Sequence, residues 1–198
     1  MKSGFKRLAV VFIILLISNS SYSQVFVIPQ IGFNLSEFSF AKTGFENNAN
    51  VGGQLGVGFR FGKNAFFATG VYWSQYSNDI VYEDTLGIIT SSTLNVKSIL
   101  LPLQVGFSLY NADIFRLRLQ AGINLSFPIG VDDNEFNITI DNFNSSNVGA
   151  AIGFGFDIYR FVMDANFSFG MNDMFTIDDT SVGLNLYSLS IGYLIGNY

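Results

Sequence analysis

The chain has 198 residues, 49% of them hydrophobic, 16% aromatic and only 13% charged, with a formal net charge of −5; average proteins carry about 25% charged residues, so half the usual solvating charge is missing. It contains no Cys and no His. That excludes disulfides, thiolate metal sites, Cys nucleophiles and a lipid-modified N-terminal Cys, and removes the commonest general base and zinc ligand.

Residues 1–23 read as a cleaved signal peptide. Lys2, Lys6 and Arg7 form a positive start, residues 8–17 are an unbroken apolar run of ten, and Ser21 and Ser23 occupy the −3 and −1 positions of a cut before Gln24. The apolar run is too short to span a membrane as a helix, which needs about 20 residues. Removal of this segment leaves 7 Lys and Arg against 15 Asp and Glu, a net charge of −8. An exported chain this acidic is not a nucleic-acid binder, because phosphates are met by Lys and Arg.

From Gln24 onward the hydrophobic pattern has period two. In chain order the runs are 27–38, 51–61, 66–76, 99–109, 115–126, 148–158, 161–171 and 187–195, the first and third being weaker. In 115–126, Phe115, Leu117, Leu119, Ala121, Ile123 and Leu125 alternate with Arg116, Arg118, Gln120, Gly122, Asn124 and Ser126. In 148–158, Ile152, Phe154 and Phe156 alternate with Gly153, Gly155 and Asp157. Such alternation over ten residues or more means strands with two unlike faces.

The connections alternate in length. Residues 62–64, 110–113 and 159–160 are short turns, whereas 39–50, 77–94, 128–147 and 172–182 are long and polar and hold eleven of the fifteen carboxylates. Short turns at one end and long loops at the other describe an up-and-down barrel with periplasmic turns and surface loops. The expected fold of 24–198 is therefore all-β, a single eight-stranded antiparallel transmembrane β-barrel. Both termini fall at the periplasmic end.

A soluble barrel also alternates, so the faces must be assigned. An eight-stranded barrel has an interior just wide enough for side chains to fill. The many Phe, Leu and Ile of one face would overfill it, and the other face would expose Gly and Ala with almost no charge. The large apolar face therefore meets lipid and the small and polar face lines the lumen. Phe61, Phe67, Tyr110, Phe115, Tyr159, Phe161 and Tyr193 lie near the short turns, where an interfacial aromatic girdle belongs.

Ile31-Gly32-Phe33-Asn34-Leu35-Ser36, Gly70-Val71-Tyr72-Trp73-Ser74, Ile99-Leu100-Leu101-Pro102-Leu103, Ala121-Gly122 and the closing Leu189-Ser190-Ile191-Gly192-Tyr193 resemble, in this order, the outer-membrane β-barrel domain (PorT-like) family of Bacteroidetes. The resemblance implies an outer-membrane location. Most members of that family lack a defined activity, and one branch serves a secretion system. The ending departs from the usual assembly signal, since Gly196 and Asn197 put Tyr198 off register.

Candidate chemistry is sparse. Outer-membrane barrel enzymes, including phospholipases, lipid A acyl-modifying enzymes and surface proteases, resemble one another in needing a His, and this chain has none. Lys97 is the only strand lysine; its parity points outward near the loop end, where it would snorkel toward lipid phosphates. Asp132, Asp133 and Glu135 offer oxygen ligands for a divalent cation, but their spacing lacks the ordered alternation of a calcium loop, and a solvated loop is the simpler reading. Asp84-Thr85-Leu86 resembles the Bacteroidetes O-glycosylation triplet. The glycines of 51–58 open no helix and form no phosphate loop.

The inward charges carry the functional argument. Arg60, Arg116, Arg118, Asp157 and Asp164 all share the inward parity and lie within five residues of a short turn. Charges in a narrow interior must pair, and Arg–carboxylate pairs bond bidentately. The expectation is a filled, non-conducting barrel without catalytic residues or cofactor. It would act as a structural or accessory component through its surface loops or by docking to a larger envelope complex. The alternative is a small solute channel, and a weaker third reading is a lipid-modifying enzyme with a His-free site.

Overall fold

The computed structural model describes residues 24–40, 45–83, 89–135, 138–177 and 180–196. The proposed leader and the Asp84-Thr85-Leu86 triplet lie outside these residues. Among the described residues there are nine strands: β1 (Val25–Phe40), β2 (Phe45–Phe61), β3 (Ala65–Glu83), β4 (Ile89–Asn111), β5 (Phe115–Val131), β6 (Asn147–Ile158), β7 (Phe161–Gly170), β8 (Phe175–Ile177) and β9 (Thr180–Tyr193). Each of β1 to β6 pairs with the next, β7 pairs with β9, and β1 pairs with β9, so eight antiparallel strands close on themselves. The three-residue β8 hangs on β9 as a hairpin outside the barrel ring. Among the described residues no helix is long and apolar enough to cross a membrane.

The alternation sorts the side chains as period two requires. Along β6, Asn147, Gly149, Ala151, Gly153, Gly155 and Asp157 are buried, while Ile152, Phe154, Phe156 and Ile158 stand exposed. Exposed Phe33, Leu55, Val71, Val105, Ile123, Met163 and Leu189 continue this apolar wall around the barrel. On β2 it runs from Val51 to Phe61. Ten rises of about 3.3 Å at a tilt near 40° make a band about 25 Å tall, the height that hydrocarbon asks for. At the short-turn end Phe61 stacks on Phe67 at 6.2 Å, Tyr110 meets Phe115 at 6.1 Å, and Phe161 meets Tyr193 edge to face at 5.8 Å. These rings form the girdle.

Tight turns join the strands at that end. Gly62 takes φ +107° and Tyr159 takes φ 56°, left-handed values that let two or three residues reverse the chain. The turns are bonded to one another: Ser108 N donates to Asn64 O at 2.7 Å and Tyr159 N to Ile114 O at 2.7 Å.

Two expectations are corrected. Residues 39–50 and 77–94 are in large part strand rather than loop, because β2 begins at Phe45, β3 runs to Glu83 and β4 begins at Ile89. Backbone pairing continues above the lipid band, where the outward face of the sheet turns polar at Gln75, Ser77, Asp79, Thr93 and Asn95, so that a lipid-facing alternation no longer marks it. The lumen, in turn, is not lined only by small and polar groups. At the loop end Tyr72, Tyr76, Leu94, Val96, Leu100, Ile138, Met174, Val182, Leu184 and Leu186 form a buried apolar cluster, with Ile138 and Met174 supplied by the long connections. A smaller one, Phe26, Ile28, Val162 and Leu194, lies toward the turn end.

Candidate functional site

The site lies on the turn side of the larger cluster and level with the smaller one, Phe26 being paired with Arg60 and Val162 with Asp157. Asp157 and Asp164 flank the turn at Tyr159 and Arg160, on the facing strands β6 and β7. Arg118 on β5, Gly155 on β6 and Asp164 on β7 occupy one row of the sheet, Arg118 opposite Gly155 and Gly155 opposite Asp164. Glycine in the middle of that row is required: a Cβ on Gly155 would lie 2.4 Å from the Arg118 guanidinium carbon. Without one, the guanidinium lies across β6 and donates to Asp164 Oδ1 at 2.8 Å, while its Nε donates to Asp157 Oδ1 at 3.0 Å. Arg60 reaches Asp157 Oδ2 from β2 at 2.7 Å.

Arg60 and Asp157 are each 2% exposed and Arg118 is 1% exposed, so two guanidiniums and two carboxylates are sealed together with their charges balanced. Further partners complete the network. Gln30 Nε2 on β1 donates to Asp164 Oδ2 at 2.8 Å, and the Tyr72 hydroxyl on β3 donates to Gln30 Oε1 at 2.6 Å. The Phe66 ring lies 5.4 Å from the Arg60 guanidinium and 5.8 Å from that of Arg118, within cation–π range. One connected set therefore draws on strands β1, β2, β3, β5, β6 and β7.

Of the five inward charges named from sequence, four form this network. Arg116, also buried, sits one inward position nearer the short turns, where its Nε donates to Asn111 Oδ1 at 3.3 Å. Gln30, Tyr72 and Phe66 were not singled out by sequence, although all three have inward parity in the two weaker runs. Charge drew attention to arginines and aspartates and passed over an amide, a phenol and a ring.

Arg60, Arg118 and Asp164 border a cavity of about 60 Å³, room for about four waters, which Gln54, Gln104, Gln120, Asn124, Asn166 and Ser188 also line. Gln104 donates to Asn124 at 3.2 Å and Gln120 to Asn166 at 3.0 Å. The apolar cluster then closes the loop side. This arrangement links strands on opposite walls of the lumen.

Lys97 faces outward, as its parity requires, but its partner is Asp132, at 2.5 Å. The loop carboxylate thus supplies an anion to the ammonium that the sequence placed near lipid phosphates. Asp132 is paired with Lys97, Asp133 and Glu135 are exposed, and Asn134 turns back to bond both backbone groups of Ile138. Among the described residues no group of three carboxylates is gathered to hold a metal ion.

Comparison with known proteins agrees with this geometry. The family described as outer membrane protein beta-barrel domain matches residues 19–176. The outer membrane protein OprG from Pseudomonas aeruginosa superposes with a TM-score of 0.57 at 14% identity, covering 88% of this chain and 97% of its own. Neisserial surface protein A gives a TM-score of 0.52 at 14% identity, over 87% and 97%. The outer membrane enzyme PagL gives 0.40 at 14% identity, over 86% and 99%, too low to carry an argument. No curated protein matches the sequence.

Proposed function

The chain belongs to the outer membrane protein β-barrel domain family, and from that premise we propose that it is a non-enzymatic barrel with a filled lumen. It sits in the outer membrane, with lipid against its apolar wall. Its role is that of a structural or accessory component, acting through the acidic loop end or by docking to a larger envelope complex. The observation that carries this reading is the Arg60–Asp157 pair, which ties opposite walls together through the middle of the bore. The apolar cluster at the loop end and the smaller one packed beside the pair support it.

The small-channel alternative needs a continuous wet path, and the buried network and both clusters weigh against one. For the enzymatic alternative, the absence of Cys and His and the filling of the lumen by paired charges leave no placed nucleophile and base. The resemblance of 31–36, 70–74 and 99–103 supports a PorT-like member from Bacteroidetes, and residues 1–23 fit a leader removed before Gln24. N-terminal sequencing of protein recovered from outer membranes tests the cleavage. Proteoliposomes loaded with sugars or amino acids test the filled lumen: they retain their contents if it is blocked, and rapid release by the folded protein returns the small-channel reading.

A further inference from the structure

Charge is unevenly placed along the barrel. Of the seven Lys and Arg after residue 23, five (Arg60, Lys63, Arg116, Arg118 and Arg160) lie in a short turn or within five residues of one, against three of the fifteen carboxylates, Asp113, Asp157 and Asp164. The side chains of the turn end are thus cationic in sum, although residues 24–198 carry a net charge of −8. Short turns face the periplasm in barrels of this layout.

At the mouth of the bore on that side lies a pit of about 310 Å³. Lys63 of the β2–β3 turn, Asn111, Asp113 and Ile114 of the β4–β5 turn, Arg116 at the start of β5 and Tyr159 of the β6–β7 turn line it. Hydrogen bonds fix these turns against one another. Asn111 Nδ2 donates to Asn64 Oδ1 at 3.1 Å, Arg116 Nε to Asn111 Oδ1 at 3.3 Å, and Tyr159 N to Ile114 O at 2.7 Å. The pit is therefore preformed, with Arg116 buried in its wall and Lys63 exposed at its rim.

We propose that this pit captures the free carboxylate terminus of a peptide carried by a periplasmic partner, the last residue of that peptide being apolar. Asp157, also at the pit, is already bonded by Arg60 and Arg118. The other charges there are Lys63 and Arg116 against Asp113, two positive against one negative, which suits a monoanion. A doubly charged phosphate meets the two carboxylates with more repulsion. A planar guanidinium with an ammonium nearby is a donor set that a carboxylate fits. Ile114, 68% exposed, and Phe115 put an apolar surface beside those cations, and the side chain next to the carboxylate packs there. Terminal-carboxylate capture is an established mode of peptide recognition. The site deepens the docking reading by naming the face that docks. Its failure leaves docking through the loop end untouched, and single-channel recording reads the bore alone, so the readings fail separately.

The test is solution NMR of residues 24–198, refolded in micelles of an uncharged sugar detergent and titrated with acetyl-diglycyl-leucine, as the free acid and as its C-terminal amide. The free acid should shift the backbone amides of 111–116 and Tyr159 saturably, and the amide should not. Lys63→Gln should weaken binding about tenfold, the equivalent of one charged hydrogen bond. Arg116→Gln should weaken it at least as much while keeping the spectrum of a folded barrel. Arg160→Gln removes a cation of the same end outside the pit and should leave binding unchanged. No saturable shift from the free acid, equal shifts from the amide, an equal loss in Arg160→Gln, or inorganic phosphate bound as tightly as the peptide overturns the site. Binding that emerges only after removal of residues 197 and 198 overturns it too, by assigning the pit to the chain's own tail.

Discussion

Arg60 and Asp157 stand four strands apart whichever way the barrel is followed, yet their side chains meet at 2.7 Å. A contact between opposite walls is possible only because an eight-stranded bore is about two side chains wide. Asp157 also accepts from Arg118 on the neighbouring strand, so this one carboxylate links the far wall to the near sheet. Buried ion pairs are poor sources of net stability, since desolvation opposes the Coulomb gain, but breaking one strands its partner. The network is therefore expected to set which strands face each other and to keep the bore shut.

Asp157→Asn should leave Arg60 and Arg118 with one buried carboxylate between them. The expected loss is about 3–5 kcal/mol, read from urea unfolding of the refolded barrel in micelles or bilayers. Arg60→Leu combined with Asp157→Leu should cost less than the two single changes added together, because neither charge is then left alone. Strict additivity would mean that the pair is not coupled.

Leu119→Arg or Phe154→Arg should hinder assembly. Both residues are outward and mid-wall, Leu119 opposite Phe154 across β5 and β6, and an Arg at the membrane midplane costs about 2–4 kcal/mol. Slower folding into lipid vesicles, followed by the heat-modifiable gel shift, is the readout. The inward neighbour Gln120 gives the contrast: Gln120→Ala, which removes the bond to Asn166, should fold at close to the wild-type rate. Wild-type folding of both Arg variants would reverse the assignment of faces.

Cysteine placed at Asp133, exposed in the β5–β6 connection, should react with a membrane-impermeant maleimide on intact cells. One placed at Asn111, exposed at the short-turn end, should react only after the outer membrane is broken. The opposite pattern would invert the barrel in the membrane.

Much of this was legible in the sequence because a membrane barrel has two solvents. Lipid demands a large apolar group at every second residue and the bore demands the reverse, so parity alone places Leu119 outside and Arg118 inside. Gly155 was legible as an inward residue, but not as the gap through which Arg118 reaches Asp164. That depends on the register of three strands, which alternation within a single strand does not contain. The upward extensions of β2, β3 and β4 escaped for a related reason. Above the lipid band the outward face is no longer apolar, and Ser77 and Thr93 continue the ladder without the lipid-facing signal. Leu94, Val96, Leu184 and Leu186 were hidden by the rule that small and polar groups fill the lumen. That rule holds at mid-membrane and fails at the loop end, where Ile138 and Met174 fold in and give inward apolar groups something to pack on.

The most direct test of the filled lumen is single-channel recording of the purified, refolded protein in a planar bilayer. The account predicts that wild-type barrels, shown by gel shift to be folded and inserted, produce no steady unitary current. Steady currents from the wild type, unchanged in Arg118→Ala, would contradict it, because the bore would then be open and the Arg118 network would play no part in closing it.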